Sequence, residues 1–260
     1  MTDNAPGGEV SYLAEGPVAR LTLERPKSAN AFDLATARAF AAAVREAADE
    51  DVLAVCLTGR GGRFCAGGDV RSVARARDRG AHIHELATCL GEALHRLREL
   101  PKPVVAAVQG AVAGAGIAVM LSADVIVAER STKFLMAYAA MGLTPDCGAS
   151  VLLPRAVGQQ RALELALTGR TLTASEALSW GLVTEVVDDG DGAARALEIA
   201  RCLATRPPFA LAEAKRLVRG SWDSPAEVTL ADEARTIASA VVTERATALI
   251  DTFTGTPERS

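Results

Sequence analysis

Hydrophobic and polar residues alternate over residues 18–24, with Ala19, Leu21 and Leu23 on one face. This period of two predicts a strand with one buried side. Further strands are predicted at short apolar runs bounded by turn-forming or charged residues, at 53–59, 104–110, 123–129, 132–136 and 182–187.

Helical periodicity fills the intervals between these strands. Asp33 is placed to cap a helix over 34–48, and a charged helical region that holds all three histidines is predicted over 70–100. The capping box T-A-S-E at 173–176 begins a helix that ends at Gly181. Three more helices are predicted, at 114–122, 148–156 and 159–168.

The alternation of strands and helices stops near residue 187. Beyond Gly192 only helices are predicted, with breaks at Pro207–Pro208 and around Gly220–Pro225. We therefore predict an α/β core over 1–191 and a helical region over 192–260 that serves as a lid, an oligomer contact or both.

Two glycine-rich segments and one carboxylate carry the candidate chemistry. Residues 63–71 read R-F-C-A-G-G-D-V-R, and residues 109–124 read Q-G-A-V-A-G-A-G-I-A-V-M-L-S-A-D. Both segments place backbone N–H groups, with little side-chain bulk around them, at strand-to-helix turns. Residues 142–148, G-L-T-P-D-C-G, place Asp146 where a helix is about to begin. This combination predicts a site that stabilises an oxyanion with backbone amides and moves a proton with one acid.

Composition narrows the class of protein. The 260 residues are 49% hydrophobic with a net charge of −4, which argues against a nucleic-acid-binding protein. No apolar run reaches membrane length, and the opening M-T-D-N-A-P-G-G shows no signal-peptide pattern. Five cysteines without metal-ligand spacing favour reduced thiols, so we expect a cytoplasmic protein without a bound metal.

The ordered motifs resemble the enoyl-CoA hydratase/isomerase (crotonase) superfamily over nearly the whole chain. The matching segments include R-P-K-S-A-N-A-F, F-C-A-G-G-D, P-K-P-V-V-A-A-V-Q-G, A-D-V-I-V-A, L-L-P-R-A-V-G and L-T-G-R-T-L-T-A-S-E-A-L-S-W-G-L-V. The resemblance implies an α/β spiral of β-β-α units with a C-terminal helical trimerisation region. It also implies an acyl-CoA thioester substrate, a homotrimer or hexamer, and no cofactor apart from the coenzyme A of the substrate.

The resemblance assigns the oxyanion-hole N–H groups to Gly68 and Ala115. Alanine stands at 115 where the family commonly has glycine, and it keeps the N–H. The two glutamates of the family's hydratases fall at Ala118 and Tyr138, neither of which is a carboxylate base. The resemblance therefore disfavours hydration by the two-glutamate mechanism and leaves Tyr138 to donate a hydrogen bond, line the pocket or pack in the core.

Members that isomerise enoyl-CoA esters or rearrange ring-epoxide CoA esters carry an aspartate at the position of Asp146. An ordinary helix cap explains the same residue from its spacing alone. The resemblance also places Ala66 and Gly114 against the substrate, and Arg25 and Lys27 against coenzyme A. Asn30, Asp69 and Asp124 are assigned structural roles, as a turn hydrogen bond, a helix cap and a contact at a strand start.

Three functions stay open at this point. The first is an enoyl-CoA double-bond isomerase that uses Asp146 as its acid and base. The second is other enolate chemistry on CoA thioesters, such as ring-epoxide isomerisation or dehalogenation. The third is a non-catalytic acyl-CoA-binding member, which the missing glutamates favour and Asp146 disfavours.

Overall fold

A computed structural model describes residues 9–255 of the chain. The expectation about a signal peptide concerns the opening eight residues, which lie outside the described part. The main sheet has six strands in the order β1-β2-β3-β4-β6-β9. β1 and β2 pair antiparallel, and all the other neighbours are parallel. The strands are β1 (Val10–Glu15), β2 (Val18–Leu23), β3 (Ala54–Gly59), β4 (Val104–Val108), β6 (Val125–Glu129) and β9 (Glu185–Val187).

A smaller sheet of three strands runs beside the main one in the order β5-β7-β8. These strands are β5 (Ala111–Ala113), β7 (Lys133–Leu135) and β8 (Leu172–Thr173). β5 follows β4 after two residues, and β7 follows β6 after three. Each of these passages gives one strand to each sheet before a helix, which is the β-β-α spiral predicted from the sequence.

Eleven α-helices connect and cover the sheets within residues 9–255. They are α1 (Leu34–Glu46), α2 (Val70–Arg75), α3 (Arg79–Glu99), α4 (Ala115–Leu121), α5 (Ala149–Val157), α6 (Gln159–Thr168), α7 (Ala174–Trp180), α8 (Gly192–Ala204), α9 (Pro208–Gly220), α10 (Ala226–Val241) and α11 (Glu244–Thr254). None of these helices is both long enough and apolar enough to cross a membrane.

Local capping explains where several helices begin. The Asp33 side chain accepts from the Thr36 amide at 2.9 Å, as its position before α1 predicts. Thr173 and Glu176 form the expected capping box at α7, and Gly181 ends that helix in the left-handed region.

The main sheet is buried on both faces. Val104, Ala106 and Val108 of β4 face the larger core, and Val105 and Ala107 face a smaller one covered by α8. This alternation is what a strand buried on both sides requires. The domain boundary between residues 191 and 192 stays a prediction, and the first helix beyond it packs on the sheet.

Several elements differ from the sequence-based expectation. β1, β5 and β8 have no counterpart among the predicted strands, because β1 is partly exposed without clean alternation and the other two span only three and two residues. The region 70–100 is two helices, because Asp78 caps a new one. Thr243 likewise caps α11 and adds a break between the last two helices.

The close approach of α4 to the preceding loop gives a stability prediction. A Cβ at Gly116 would lie 2.3 Å from the Cys65 carbonyl oxygen. We expect Gly116→Ala to lower the free energy of unfolding by about 1–3 kcal/mol, although alanine is the better helix former. Chemical denaturation measures the change.

Gly220→Ala is the matched control. Gly220 is also helical, and a Cβ there would meet nothing within 4 Å. It is expected to leave stability unchanged or raise it by up to about 1 kcal/mol. Equal effects of the two substitutions would contradict the proposed steric constraint at Gly116.

Candidate active site

Two glycine-rich turns are joined by backbone hydrogen bonds. The Ala113 N–H donates to the Cys65 carbonyl at 3.0 Å, and the Cys65 N–H donates to the Ala111 carbonyl at 3.4 Å. Gly67 has φ +95°, and a Cβ there would lie 2.8 Å from the Ala113 carbonyl oxygen. Only glycine therefore suits this position, and its small size brings the two turns into direct contact.

The N–H groups of Gly68 and Ala115 are left free by this arrangement. Bonds from Phe32 N–H to the Gly67 carbonyl and from Asp69 N–H to the Phe32 carbonyl, both 2.8 Å, fix the turn on either side of Gly68. Ala115 is the first residue of α4, where an amide has no partner within the helix. Neither amide has an acceptor among residues 9–255.

Tyr138 connects this region to Asp146. Its ring lies beside Gly114, with Cζ 4.0 Å from the position of a Cβ there. Its hydroxyl donates to Asp146 Oδ1 at 2.6 Å. Both side chains are half-buried. The fold thus places Tyr138 between Gly114, which precedes the free Ala115 amide, and Asp146. The hydrogen bond to Asp146 selects one of the roles that the sequence left open for Tyr138.

The helix-cap interpretation of Asp146 is wrong. α5 begins after Gly148, and no side chain caps it. The Asp146 carbonyl oxygen accepts from the Ala149 amide at 2.9 Å, whereas its carboxylate turns to Tyr138. Cys147 between them has φ +52°, an uncommon conformation for a residue other than glycine.

The surroundings shift two ionisable groups at the site. Burial, followed by the negative charge of Asp146, raises the pKa of Tyr138 well above its usual value of about 10. Burial also raises the pKa of the Cys147 thiol, and Asp146 adds to the effect. Both groups are therefore protonated at neutral pH, and Tyr138 acts as a hydrogen-bond donor.

The other predicted substrate contacts have varied surroundings. Ala118 is fully buried in the larger core. Ala66 is half-buried, and its N–H donates to the Ala29 carbonyl at 3.0 Å. Lys27 is exposed and has no ion pair within the part of the chain that the structure describes.

Arg25 is held by acidic neighbours. Its Nε lies 2.7 Å from Glu9, and its Nη2 lies 2.9 Å from Asp33 and 3.0 Å from Asp69. Its Nη1 donates to the Ala31 carbonyl. These contacts favour a structural role for Arg25. Of the two side chains predicted to contact coenzyme A, only that of Lys27 is exposed.

The residues assigned structural roles make the expected contacts. Asn30 Nδ2 donates to the carbonyls of Arg60 and Arg63, and Asp69 caps α2 through the Arg71 amide. Asp124 accepts from the Val104 N–H at 2.8 Å. Within residues 9–255, no group of three His, Cys, Asp or Glu side chains is arranged to hold a metal.

Two cavities lie beside α5 in the described part of the chain. One, of about 450 Å³ between α3 and α5, is lined by Gly91, His95, Cys147, Gly148 and Val151 among others, and so adjoins Asp146 in sequence. The other, of about 510 Å³, lies between α9 and the core, away from the free amides.

The sequence model of one protein family, described as enoyl-CoA hydratase/isomerase, matches residues 14–254. The chain belongs to this family. It is 39% identical over 218 residues to the 1,2-epoxyphenylacetyl-CoA isomerase of Escherichia coli, covering 82% of each protein. It is 34% identical over 214 residues to a carnitinyl-CoA dehydratase of Salmonella enteritidis, covering 82% of this chain and 80% of that one.

A crystal structure of an enoyl-CoA hydratase from Polaromonas superposes with a TM-score of 0.91 and 32% identity. The match covers 97% of this chain and 99% of that one. The crotonase fold is therefore confirmed, and the chain is an acyl-CoA-processing enzyme of the family. Isomerases and dehydratases both occur among its relatives, so its own residues must decide the reaction.

The Tyr138–Asp146 hydrogen bond can be tested by alkaline titration. The sequence contains two tyrosines, so Tyr12→Phe leaves Tyr138 as the only one that titrates. Because the Asp146 charge opposes formation of tyrosinate, Asp146→Asn should lower the pKa of Tyr138. Ultraviolet absorbance of tyrosinate measures this, and an unchanged pKa would contradict the contact.

Proposed function

We propose that the protein is an enoyl-CoA double-bond isomerase in which Asp146 is acid and base and the Gly68 and Ala115 amides form the oxyanion hole. The observation that supports this most is the grouping of two free amides with one carboxylate through Tyr138. An isomerase needs these parts and no activated water.

The reaction begins with a 3-enoyl-CoA ester. Asp146 removes a proton from C2, and the electron pair of that C–H bond moves into a dienolate whose charge lies on the thioester oxygen. Protonated Asp146 then gives the proton to C4. The double bond ends between C2 and C3, conjugated to the thioester, and Asp146 returns to its carboxylate form.

The two amides act on the charge that develops during this reaction. A preorganised N–H aimed at an oxyanion stabilises the transition state more than the ground state, and losing one costs roughly 3 kcal/mol. The N-terminus of α4 adds partial positive charge at Ala115. In this proposal the thioester carbonyl lies between the Gly68 and Ala115 amides, and C2 faces Asp146.

Hydration is disfavoured by the residues at the two positions that the family resemblance assigns to the hydratase glutamates. Ala118 has no acid–base group and is buried. Tyr138 is protonated, and its hydroxyl is engaged with Asp146. Neither side chain can hold and deprotonate a water molecule.

Ring-epoxide isomerisation is the second candidate, because the similar Escherichia coli protein is a 1,2-epoxyphenylacetyl-CoA isomerase. The same amides would hold the thioester oxygen, and Asp146 would act next to C2. We assign the acyl group to the cavity of about 450 Å³ that begins at Cys147 and Gly148. Lys27 and the backbone around Ala66 are assigned to coenzyme A.

The assembly we propose is a homotrimer, alone or paired into a hexamer. The last helices carry large apolar side chains that are exposed in the single chain, among them Leu230, Ile237, Leu249 and Phe253. Surfaces of this kind are typical of subunit contacts. Sedimentation analysis of the full chain measures the assembly directly.

Asp146→Asn tests the proposed function. With a 3-enoyl-CoA substrate, the unaltered enzyme should produce conjugated-thioester absorbance, and the variant should lose about two to four orders of magnitude in turnover because its acid–base group is gone. Loss of absorbance from a 2-enoyl-CoA would indicate hydration. Near-normal turnover by Asp146→Asn would contradict the proposal.

The oxyanion hole is tested at Ala115. Proline is tolerated at the first residue of a helix, so Ala115→Pro removes the free N–H without breaking a helical hydrogen bond. Turnover should fall about 10²–10³-fold. Ala115→Gly keeps the N–H and should stay near the original rate.

Thermal unfolding must show that both Ala115 variants are folded. Full activity in a folded Ala115→Pro enzyme would exclude this amide from the oxyanion hole.

A further inference from the structure

The hydroxyl of Tyr138 engages one particular oxygen of the proposed acid–base residue. It donates to Asp146 Oδ1 at 2.6 Å, within the range of short hydrogen bonds from a hydroxyl to a carboxylate. The other carboxylate oxygen, Oδ2, is not part of this contact. The two oxygens of Asp146 therefore differ in their surroundings.

Tyr138 is itself held in place. Its carbonyl oxygen accepts from the Met141 amide at 2.9 Å and the Leu143 amide at 3.0 Å, which closes a single helical turn. Its ring packs against the larger core and lies beside Gly114, at the start of α4. The donor is therefore anchored to the same element that presents the Ala115 amide.

Asp146 lies in a less protected stretch. The residues before it, from Gly142 to Pro145, are exposed, and α5 begins only at Ala149. Its carbonyl oxygen accepts from the Ala149 amide, and its own N–H lies against the Tyr138 hydroxyl. The Cys147 thiol is a second group in contact with its carboxylate. The Tyr138 hydroxyl, at 2.6 Å, is the stronger of these two donors to the Asp146 carboxylate, because a thiol S–H is a weak donor.

We propose that Tyr138 is a positioning residue that holds Asp146 Oδ1 and leaves Oδ2 as the single oxygen that carries the proton. The inference rests on the proposed isomerase function and extends it. The C2–H bond breaks as an O–H bond forms at Oδ2. That O–H bond then breaks as the C4–H bond forms, so the same proton returns to the substrate.

This arrangement has a consequence for the fate of the proton. With Oδ1 tied to Tyr138, the protonated carboxyl group turns toward water more slowly than its proton passes to C4. Transfer from C2 to C4 is then largely internal. Without the tyrosine hydroxyl the carboxyl group rotates, and its proton exchanges with solvent before it reaches C4.

Tyr138→Phe removes only the hydroxyl. With a 3-enoyl-CoA deuterated at C2, we expect kcat to fall about tenfold, as the loss of one charge-assisted hydrogen bond allows, with KM nearly unchanged. Mass spectrometry of the product should show less deuterium at C4 than the unaltered enzyme gives. A merely structural tyrosine would not change this retention in a folded enzyme.

Tyr12→Phe is the matched control, because Tyr12 is a partly buried tyrosine on β1, away from the site. It should keep both the rate and the deuterium retention. Thermal unfolding of both variants shows that they are folded.

The possible results separate this inference from the proposed function. If the unaltered enzyme isomerises and Tyr138→Phe matches it in kcat and deuterium retention, the positioning role is refuted and the isomerase stands. If the unaltered enzyme makes no conjugated product, the proposed function fails and the inference fails with it. A lower kcat together with lower retention supports both.

Discussion

The site depends on the close backbone contact between two glycine-rich turns. A Cβ at Gly67 would lie 2.8 Å from the Ala113 carbonyl oxygen, and one at Gly116 would lie 2.3 Å from the Cys65 carbonyl oxygen. No side chain larger than hydrogen fits at either place. The contact sets the free N–H groups of Gly68 and Ala115 on neighbouring turns, and the proposed oxyanion hole rests on this arrangement.

The spiral supplies the rest of the site by repetition. One β-β-α passage ends at α4 and the next leads through Tyr138 to Asp146. Successive turns of the chain thus bring Gly114, Tyr138 and the Asp146 carboxylate to the same region.

Much of this could be predicted from the sequence because the signals are local. Glycine-rich turns, the cap at Asp33 and the capping box at Thr173 depend on residues within a few positions of each other. The Tyr138–Asp146 bond depends on how the chain closes over the intervening residues, and no periodicity reports that. For the same reason the cap interpretation of Asp146 was wrong. The three carboxylate partners of Arg25 were likewise beyond prediction, because only the fold brings them to its side chain.

Proton exchange at C2 tests most directly whether Asp146 and the two amides generate an enolate. An arylacetyl-CoA ester has acidic C2 protons and no double bond to move, so NMR in deuterium oxide reports proton removal alone. We predict exchange with the unaltered enzyme and almost none with Asp146→Asn. Exchange at the same rate in both would show that Asp146 is not the base, and would contradict the proposed mechanism.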